Sequence, residues 1–252
     1  MTFKVVIPAR YASTRLPGKP LLDIGGKPMV NWVVEAACAS RADEVCVATD
    51  DARISEAVHQ SNTKASAVMT RIDHRSGTDR IAEVAQLKKW SVDTIVVNVQ
   101  GDEPQMPVAV INQVAELLNS HPDAHIATLC TPIRLLEEFV NTNVVKVVKT
   151  DDDRALYFSR APIPWHRDRA TSGLSSQTCF DGSLRHLGIY AYRVGALMQL
   201  TRLPPSSLEV AESLEQLRAL QSGMRIVVAI AKELPGLGVD TPEDIARIRS
   251  TN

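Results

Sequence analysis

Short β-branched runs alternate with helical patterns along the first 120 residues, and this alternation restricts the fold more than any other feature of the sequence. The runs are Lys4 to Pro8, Glu44 to Thr49, Ser66 to Met69 and Thr94 to Val99. Between them, Met29 to Ala39 and Thr78 to Lys89 place apolar residues on one helical face. This order predicts a parallel sheet with crossover helices. Because ligands bind such sheets at the carboxyl ends of the strands, the loops after the first, second and last of these runs are candidate sites.

The pattern changes after Pro122, where the predicted strands are separated by longer irregular stretches. These strands are His125 to Thr131, Val144 to Lys149, Ala155 to Ser159 and Leu187 to Tyr192. The segment from Trp165 to Leu184 is polar and has no period, which predicts a loop. The chain closes with a helix near Ser207 to Gln221, a strand from Arg225 to Ala231 and a helix opened by Pro242.

These patterns predict an α/β fold, in which a mostly parallel sheet is flanked by helices and accompanied by a smaller α+β subdomain. The expected parts are 1–122 for the main sheet, 123–206 for the subdomain and 207–252 for a segment that returns to the main domain. The formal net charge of −1 indicates neither a nucleic-acid nor a membrane-surface partner. The four cysteines are widely spaced, which favours buried thiols over a zinc site or disulfides. No leader pattern or long apolar run is present, so we expect a cytoplasmic protein.

The loop after the first strand is rich in cations. It begins at Pro8, Ala9 and Arg10 and continues through Ser13, Arg15 and Lys19. Three cations at a strand end, together with backbone N–H groups, suit a triphosphate. The loop is neither a Walker A nor a dinucleotide-binding motif. The alternative is that the three cations only solvate a surface loop.

The segment from Ile7 to Leu21 reads IPARYASTRLPGKPL and resembles the signature of CMP-Kdo synthetases, the 3-deoxy-manno-octulosonate cytidylyltransferases. The resemblance extends from residue 5 to about residue 248. It implies a Rossmann-like nucleotidyltransferase sheet and transfer of CMP from CTP to 3-deoxy-D-manno-octulosonate (Kdo) for lipopolysaccharide synthesis. It also implies Mg²⁺ as cofactor and a homodimer. In the family's pattern, Pro8, Ala9, Arg10, Ser13, Arg15 and Lys19 bind the nucleotide.

Two acidic motifs are candidate metal sites. In QGDEP, an apolar strand stops at a glycine and a carboxylate pair, and Mg²⁺ prefers carboxylates combined with phosphate oxygens. Asp102 therefore suggests a metal ligand, or else a loop-capping aspartate. In VDTPED, Asp240 alone suggests a helix N-cap. The resemblance implies that both aspartates hold the metal and form the catalytic set together with Arg10 and Lys19.

The stretch HRSGTDR, from His74 to Arg80, follows a predicted strand and leads into a helix. From the residues alone, Thr78 could be a plain N-cap. The pattern resembles the cytosine-recognition loop of the family, where fixed donors and acceptors would distinguish cytosine from uracil. By this resemblance the nucleotide-binding residues also include Arg71, Ser76, Gly77, Thr78 and Gln100.

The acceptor-sugar site is the least evident from sequence. Arg160 follows a strand in YFSRAPIPW, and His186, Tyr190 and Tyr192 share one face of the strand HLGIYAY. An aromatic stripe on a half-buried strand is the plain interpretation, and Glu215 and Gln216 fall on the polar side of a predicted helix. The resemblance instead implies a sugar site formed by Gln100, Arg160, His186, Tyr190, Glu215 and Gln216.

Two alternatives remain open from the sequence. A cytidylyltransferase for sialate or an amino-Kdo would share the phosphate and metal residues and differ only in the sugar pocket. A non-catalytic nucleotide-binding protein would be expected to lack one of the metal carboxylates or Lys19. This chain has Asp102, Asp240 and Lys19.

Overall fold

The structure is a computed structural model that describes residues 1–12, 16–169, 173–236, 238–239 and 241–251. The elements of the first half are β1 (Lys4–Ala9), β2 (Asp23–Ile24), β3 (Lys27–Pro28), α1 (Met29–Ala39), β4 (Glu44–Thr49), α2 (Ala52–Gln60), β5 (Ser66–Met69), α3 (Gly77–Leu87), β6 (Ile95–Asn98) and α4 (Val108–Ser120). Those of the second half are β7 (Ile126–Pro132), α5 (Leu136–Val140), β8 (Lys146–Lys149), β9 (Ala155–Ser159), β10 (Leu184–Arg193), α6 (Val194–Arg202), α7 (Ser207–Glu212), α8 (Gln216–Gln221), β11 (Ile226–Ile230) and α9 (Pro242–Thr251).

The described strands, apart from the small hairpin of β2 and β3, form one sheet in the order β11-β7-β10-β6-β1-β4-β5. Neighbouring strands are parallel except at β10, which is antiparallel to both β6 and β7. The hairpin of β8 and β9 pairs with the start of β10. The predicted α/β class is confirmed. The division at residues 122 and 206 stays a prediction, although β7 and β10 lie within the main sheet.

Both faces of the sheet are covered, which explains the near-continuous apolar runs of its inner strands. On β1, Val5 and Ile7 face a core that includes apolar residues of α1, α2 and α4. Val6 faces the opposite core, with residues of α3, α6 and α8. Among the described helices, none combines the length and apolarity needed to cross a membrane.

One expected helix is wrong in its extent. The predicted helix from Ser207 to Gln221 is two short helices, α7 and α8, because the chain turns at Ser213 into the left-handed region with a φ of 51°. The side chain of Ser206 caps α7 by accepting a hydrogen bond from the Glu209 amide. The break turns Gln216 inward, where it is buried rather than solvated.

Candidate active site

A cavity of about 270 Å³, which we call the edge cavity, lies at the carboxyl ends of β1 and β6. Eight of the predicted site residues line it: Pro8, Ala9, Arg10, Lys19, Ser76, Gly77, Gln100 and Asp102. The structure therefore brings together the cationic loop, the start of α3 and the first predicted metal ligand, as expected for the ligand edge of a parallel sheet.

Lys19 and Asp102 form an ion pair across the edge cavity, with Nζ to Oδ2 at 2.7 Å. The Lys19 side chain is 11% exposed and that of Asp102 is 41% exposed. Gly18 directs the lysine inward, because its φ of 70° lets its amide donate to the Tyr11 carbonyl at 3.0 Å. The pair places a cation and a carboxylate side by side, a combination that can attract both a phosphate group and a metal ion.

The loops around the edge cavity approach one another closely. A methyl group at Gly101 would lie 2.9 Å from the carbonyl oxygen of Pro8, which is closer than a side-chain carbon tolerates. A methyl group at Gly77 would lie 3.3 Å from the Pro8 ring. Glycine at both positions lets the ends of β1 and β6 and the start of α3 meet around Pro8.

The first turn of α3 is built by a capping box. The Ser76 hydroxyl accepts from the Asp79 amide at 3.1 Å, and the Asp79 carboxylate accepts from the Ser76 amide at 3.2 Å. This reciprocal bond fixes the backbone at Ser76 and Gly77 where both line the edge cavity. The amide end of a helix favours anions, so this turn adds to the attraction of a phosphate.

A buried ion pair beside this turn was not among the predicted site residues. Arg80 lines the edge cavity and donates to Asp50 Oδ2 at 2.8 Å and to the Thr70 hydroxyl at 2.5 Å. The Arg80 and Asp50 side chains are only 4% and 8% exposed. The available signal was that Asp50 directly follows β4, a strand end at the ligand edge. His74 lines the cavity as well and bonds Glu83 Oε2 at 2.5 Å.

Arg71 is not among the residues that line the edge cavity. Its guanidinium is exposed and bonds Asp73 in a bidentate pair at 2.9 and 2.6 Å, and this hydrogen bonding raises the pKa of Arg71. Ser13, Arg15 and Asp240 lie outside the described residues. Val239, which precedes Asp240 in sequence, donates from its amide to the Asp102 carbonyl at 2.9 Å.

A smaller cavity of about 80 Å³, which we call the inner cavity, lies beyond the edge cavity, and Gln100 lines both. Four of the predicted sugar-binding residues line it: Gln100, Tyr190, Glu215 and Gln216. Tyr192 and Thr78 line it as well. Thr78 was predicted as nucleotide-binding, and the structure places it on this second cavity.

The Glu215 carboxylate is held by two elements. Thr78 donates its hydroxyl to Oε2 at 2.6 Å, and Arg218 donates to Oε1 at 3.2 Å. Arg218 also makes a bidentate pair with Glu209 at 2.8 and 2.7 Å. Burial alone would lower the pKa of Arg218, but the bonds to Glu209 outweigh it and the pKa is raised. Both oxygens of Glu215 are therefore fixed in orientation.

His186 and Arg160, which were predicted to bind the sugar, are not among the residues that line the inner cavity. Imidazole Nε2 of His186 lies 3.0 Å from the Thr128 hydroxyl, and its ring centre lies 5.3 Å from that of Tyr190. The Thr128 hydroxyl also lies within hydrogen-bond distance of the Leu187 and Ile189 carbonyls of β10, at 3.1 and 2.7 Å. Arg160 donates to the Glu212 carbonyl at 2.7 Å and the Thr142 carbonyl at 2.9 Å.

Desolvation lowers the pKa of His186 to about 3, below the value of about 6.5 expected in the unfolded chain. Between these values the unfolded chain binds one more proton, so stability falls as the pH drops below about 6.5. Between pH 7 and pH 5.5 this group should remove about 1.3 kcal/mol of unfolding free energy. Urea unfolding of wild type and His186→Asn at both pH values measures it. Equal losses in the two proteins would contradict a neutral, desolvated His186.

Comparisons with known proteins identify the family of the chain. The sequence model of a family described as cytidylyltransferase matches residues 4–226. A 3-deoxy-manno-octulosonate cytidylyltransferase from Thioalkalivibrio sulfidiphilus is 54% identical over 248 residues, which cover 98% of each chain. A solved CMP:2-keto-3-deoxy-manno-octonic acid synthetase complexed with CTP is 43% identical, with a TM-score of 0.88 over 99% of this chain and 97% of that one. A cytidylyltransferase from Leptospira borgpetersenii, 15% identical with a TM-score of 0.60 over 99% and 85%, shares the fold.

Proposed function

The chain belongs to the 3-deoxy-manno-octulosonate cytidylyltransferase family, and from that premise we propose that it transfers CMP from CTP to Kdo, giving CMP-Kdo and pyrophosphate. The similar structure with bound CTP supports CTP as the nucleotide. The acceptor follows from the names of the relative and of that structure.

The observation that carries the proposal is the junction of two chemically different cavities at Gln100. The edge cavity has cations and a helix start, which suit a triphosphate. The inner cavity has tyrosine, amide and carboxylate groups, which suit a polyhydroxylated sugar. Because Gln100 lines both cavities, a nucleotide in one and a sugar in the other would lie on either side of this residue.

In the proposed reaction the anomeric hydroxyl oxygen of Kdo forms a bond to the α-phosphorus of CTP, and the bond to the β-phosphate oxygen breaks. The hydroxyl proton passes to solvent, and the electron pair leaves with pyrophosphate. Catalysis of this type depends on positioning and on neutralising charge. Arg10 and Lys19 would stabilise the leaving pyrophosphate, while Thr78 and Arg218 hold Glu215 in place toward the sugar.

We propose that the reaction uses a magnesium ion bound in the edge cavity. Asp102 offers a part-exposed carboxylate to the edge cavity, and Mg²⁺ combines one or two carboxylates with phosphate oxygens. Asp102 and, by the family resemblance, Asp240 would hold the ion. When bound, it would neutralise phosphate charge and lower the pKa of the attacking hydroxyl.

A pyrophosphate-release assay with each of four nucleoside triphosphates against Kdo, an amino-Kdo and sialate tests the proposed substrates. We expect release with CTP and Kdo at a rate well above every other pair. A preference for sialate or amino-Kdo would move the function to another acceptor. Silence with every pair would favour a nucleotide-binding protein without catalysis.

We further propose a homodimer in the cytoplasm that activates Kdo for lipopolysaccharide synthesis, in line with the family resemblance. Light scattering after size exclusion should give twice the 27.6 kDa chain mass. A mass equal to that of a single chain would contradict the dimer.

Replacing Thr78 with valine should raise the KM for Kdo about tenfold or more, because it removes one charge-assisted hydrogen bond to Glu215. The KM for CTP should change less than about twofold. Thr78→Ser, which keeps the hydroxyl, is the matched control and should stay near wild type. An increase confined to the KM for CTP would support the original nucleotide-binding assignment of Thr78.

A further inference from the structure

Asn98 is a buried amide at the end of β6 that no step of the proposed reaction uses. Asn98 is 3% exposed and lines the inner cavity. Side chains alternate along β6, so Asn98 points to the face of the sheet opposite to that of Val97. On the antiparallel neighbour β10, Asn98 pairs with Tyr190, which lines the same cavity. The sheet itself therefore directs the Asn98 side chain toward the cavity.

The Oδ1 atom of Asn98 is buried and has no hydrogen-bond partner in the described structure. The same holds for Nε2 of Gln216, a residue that is 8% exposed and lines the inner cavity too. Buried polar atoms without a partner are rare, and each costs folding free energy. An apolar side chain of similar shape would avoid this cost, as Val6 does at the neighbouring position on β1.

Two side-chain amides that line one small cavity, each with an unpaired polar atom, match a hydroxyl group, which donates one hydrogen bond and accepts others. Tyr190 and Glu215 complete a polar lining at the same place, and the phosphate-binding cations lie in the other cavity. A sugar hydroxyl fits this cavity better than a phosphate does.

We propose that Asn98 Oδ1 accepts a hydrogen bond from a hydroxyl group of Kdo and that Gln216 Nε2 donates to the same or the adjacent hydroxyl. Asn98 is thereby a specificity-determining residue for the acceptor. The proposal rests on the proposed function, because the occupant of the inner cavity is the acceptor of that reaction.

Asn98→Leu keeps the approximate size of the side chain and removes the acceptor. We expect the KM for Kdo to rise about tenfold or more, with the Kd for CTP alone within about twofold of wild type. Asn31→Leu is the matched control, because Asn31 is a buried asparagine of α1 whose Oδ1 is also unpartnered but which lines neither cavity. It should leave the KM for Kdo unchanged.

A panel of 4-, 5-, 7- and 8-deoxy Kdo separates recognition from a structural role. Wild type should lose activity toward the analogue that lacks the contacted hydroxyl, and Asn98→Leu should show no further loss toward that one analogue. Equal losses for every analogue in both proteins, or a weaker Kd for CTP with an unchanged KM for Kdo, would overturn the proposal. If leucine prevents folding, Asn98→Ala, which needs no repacking, carries the same comparison.

The wild-type assay comes first, so that a failure of the proposed function can be distinguished from a failure of the Asn98 proposal. A wild-type protein that makes no CMP-Kdo contradicts the proposed function. An active wild type combined with an Asn98→Leu variant of normal KM for Kdo contradicts only the role of Asn98.

Discussion

Replacing Asp102 with asparagine is expected to abolish turnover while leaving the affinity for CTP within about tenfold of wild type. The asparagine oxygen can still accept from Lys19, which Asp102 holds at 2.7 Å, so the loop around the edge cavity should keep its shape. The variant loses the negative charge that a magnesium ion requires. Single-turnover product formation and CTP titration measure the two effects separately.

Glu103→Gln is the matched control, since it removes the neighbouring carboxylate of the same loop, which does not line the edge cavity. It should retain most of the activity. Near-normal turnover in Asp102→Asn would contradict the assignment of Asp102 as a metal ligand.

Replacing Lys19 with methionine should lower kcat/KM for CTP at least a hundredfold. Methionine keeps the buried stem of the side chain but removes a cation that would make charge-assisted bonds to two phosphate groups. Because pyrophosphate carries the developing charge, kcat should fall together with the affinity for CTP.

Lys27→Met serves as the control for this loss. Lys27 pairs with Glu35 and lies over the Trp32 ring, away from the edge cavity, so its replacement should leave kcat/KM within about twofold. Unchanged CTP affinity and kcat in Lys19→Met would show that the lysine only closes the loop onto Asp102.

The fold could be predicted wherever local pattern and tertiary structure agree. The bounds of β4, β5, β9 and α1 match the expectation, because polar residues follow each of these apolar runs. The break between α7 and α8 carried no such signal, since no glycine or proline marks Ser213. The break coincides with tertiary contacts, because Arg160 donates to the carbonyls of Glu212 and Ser213 across the turn.

The sequence predicted those site residues that lie in loops at the ends of strands. Arg10, Lys19 and Asp102 were predicted because loops at the carboxyl edge of a parallel sheet converge. The pairs Arg80–Asp50 and Thr78–Glu215 depend on how α3 packs against β4 and α8, which no local pattern encodes. The orphaned atoms of Asn98 and Gln216 could likewise be found only from burial in three dimensions.

The most direct test of CMP transfer to Kdo is ³¹P NMR of a mixture of the protein, Mg²⁺, CTP and Kdo, with mass spectrometry of the products. The three CTP resonances should be replaced by one phosphodiester signal and one pyrophosphate signal of twice its area, because pyrophosphate has two equivalent phosphorus atoms, and CMP-Kdo should be detected. Omission of Kdo should leave CTP intact. Persistence of CTP when both substrates are present, or CMP and pyrophosphate without CMP-Kdo, would contradict this account.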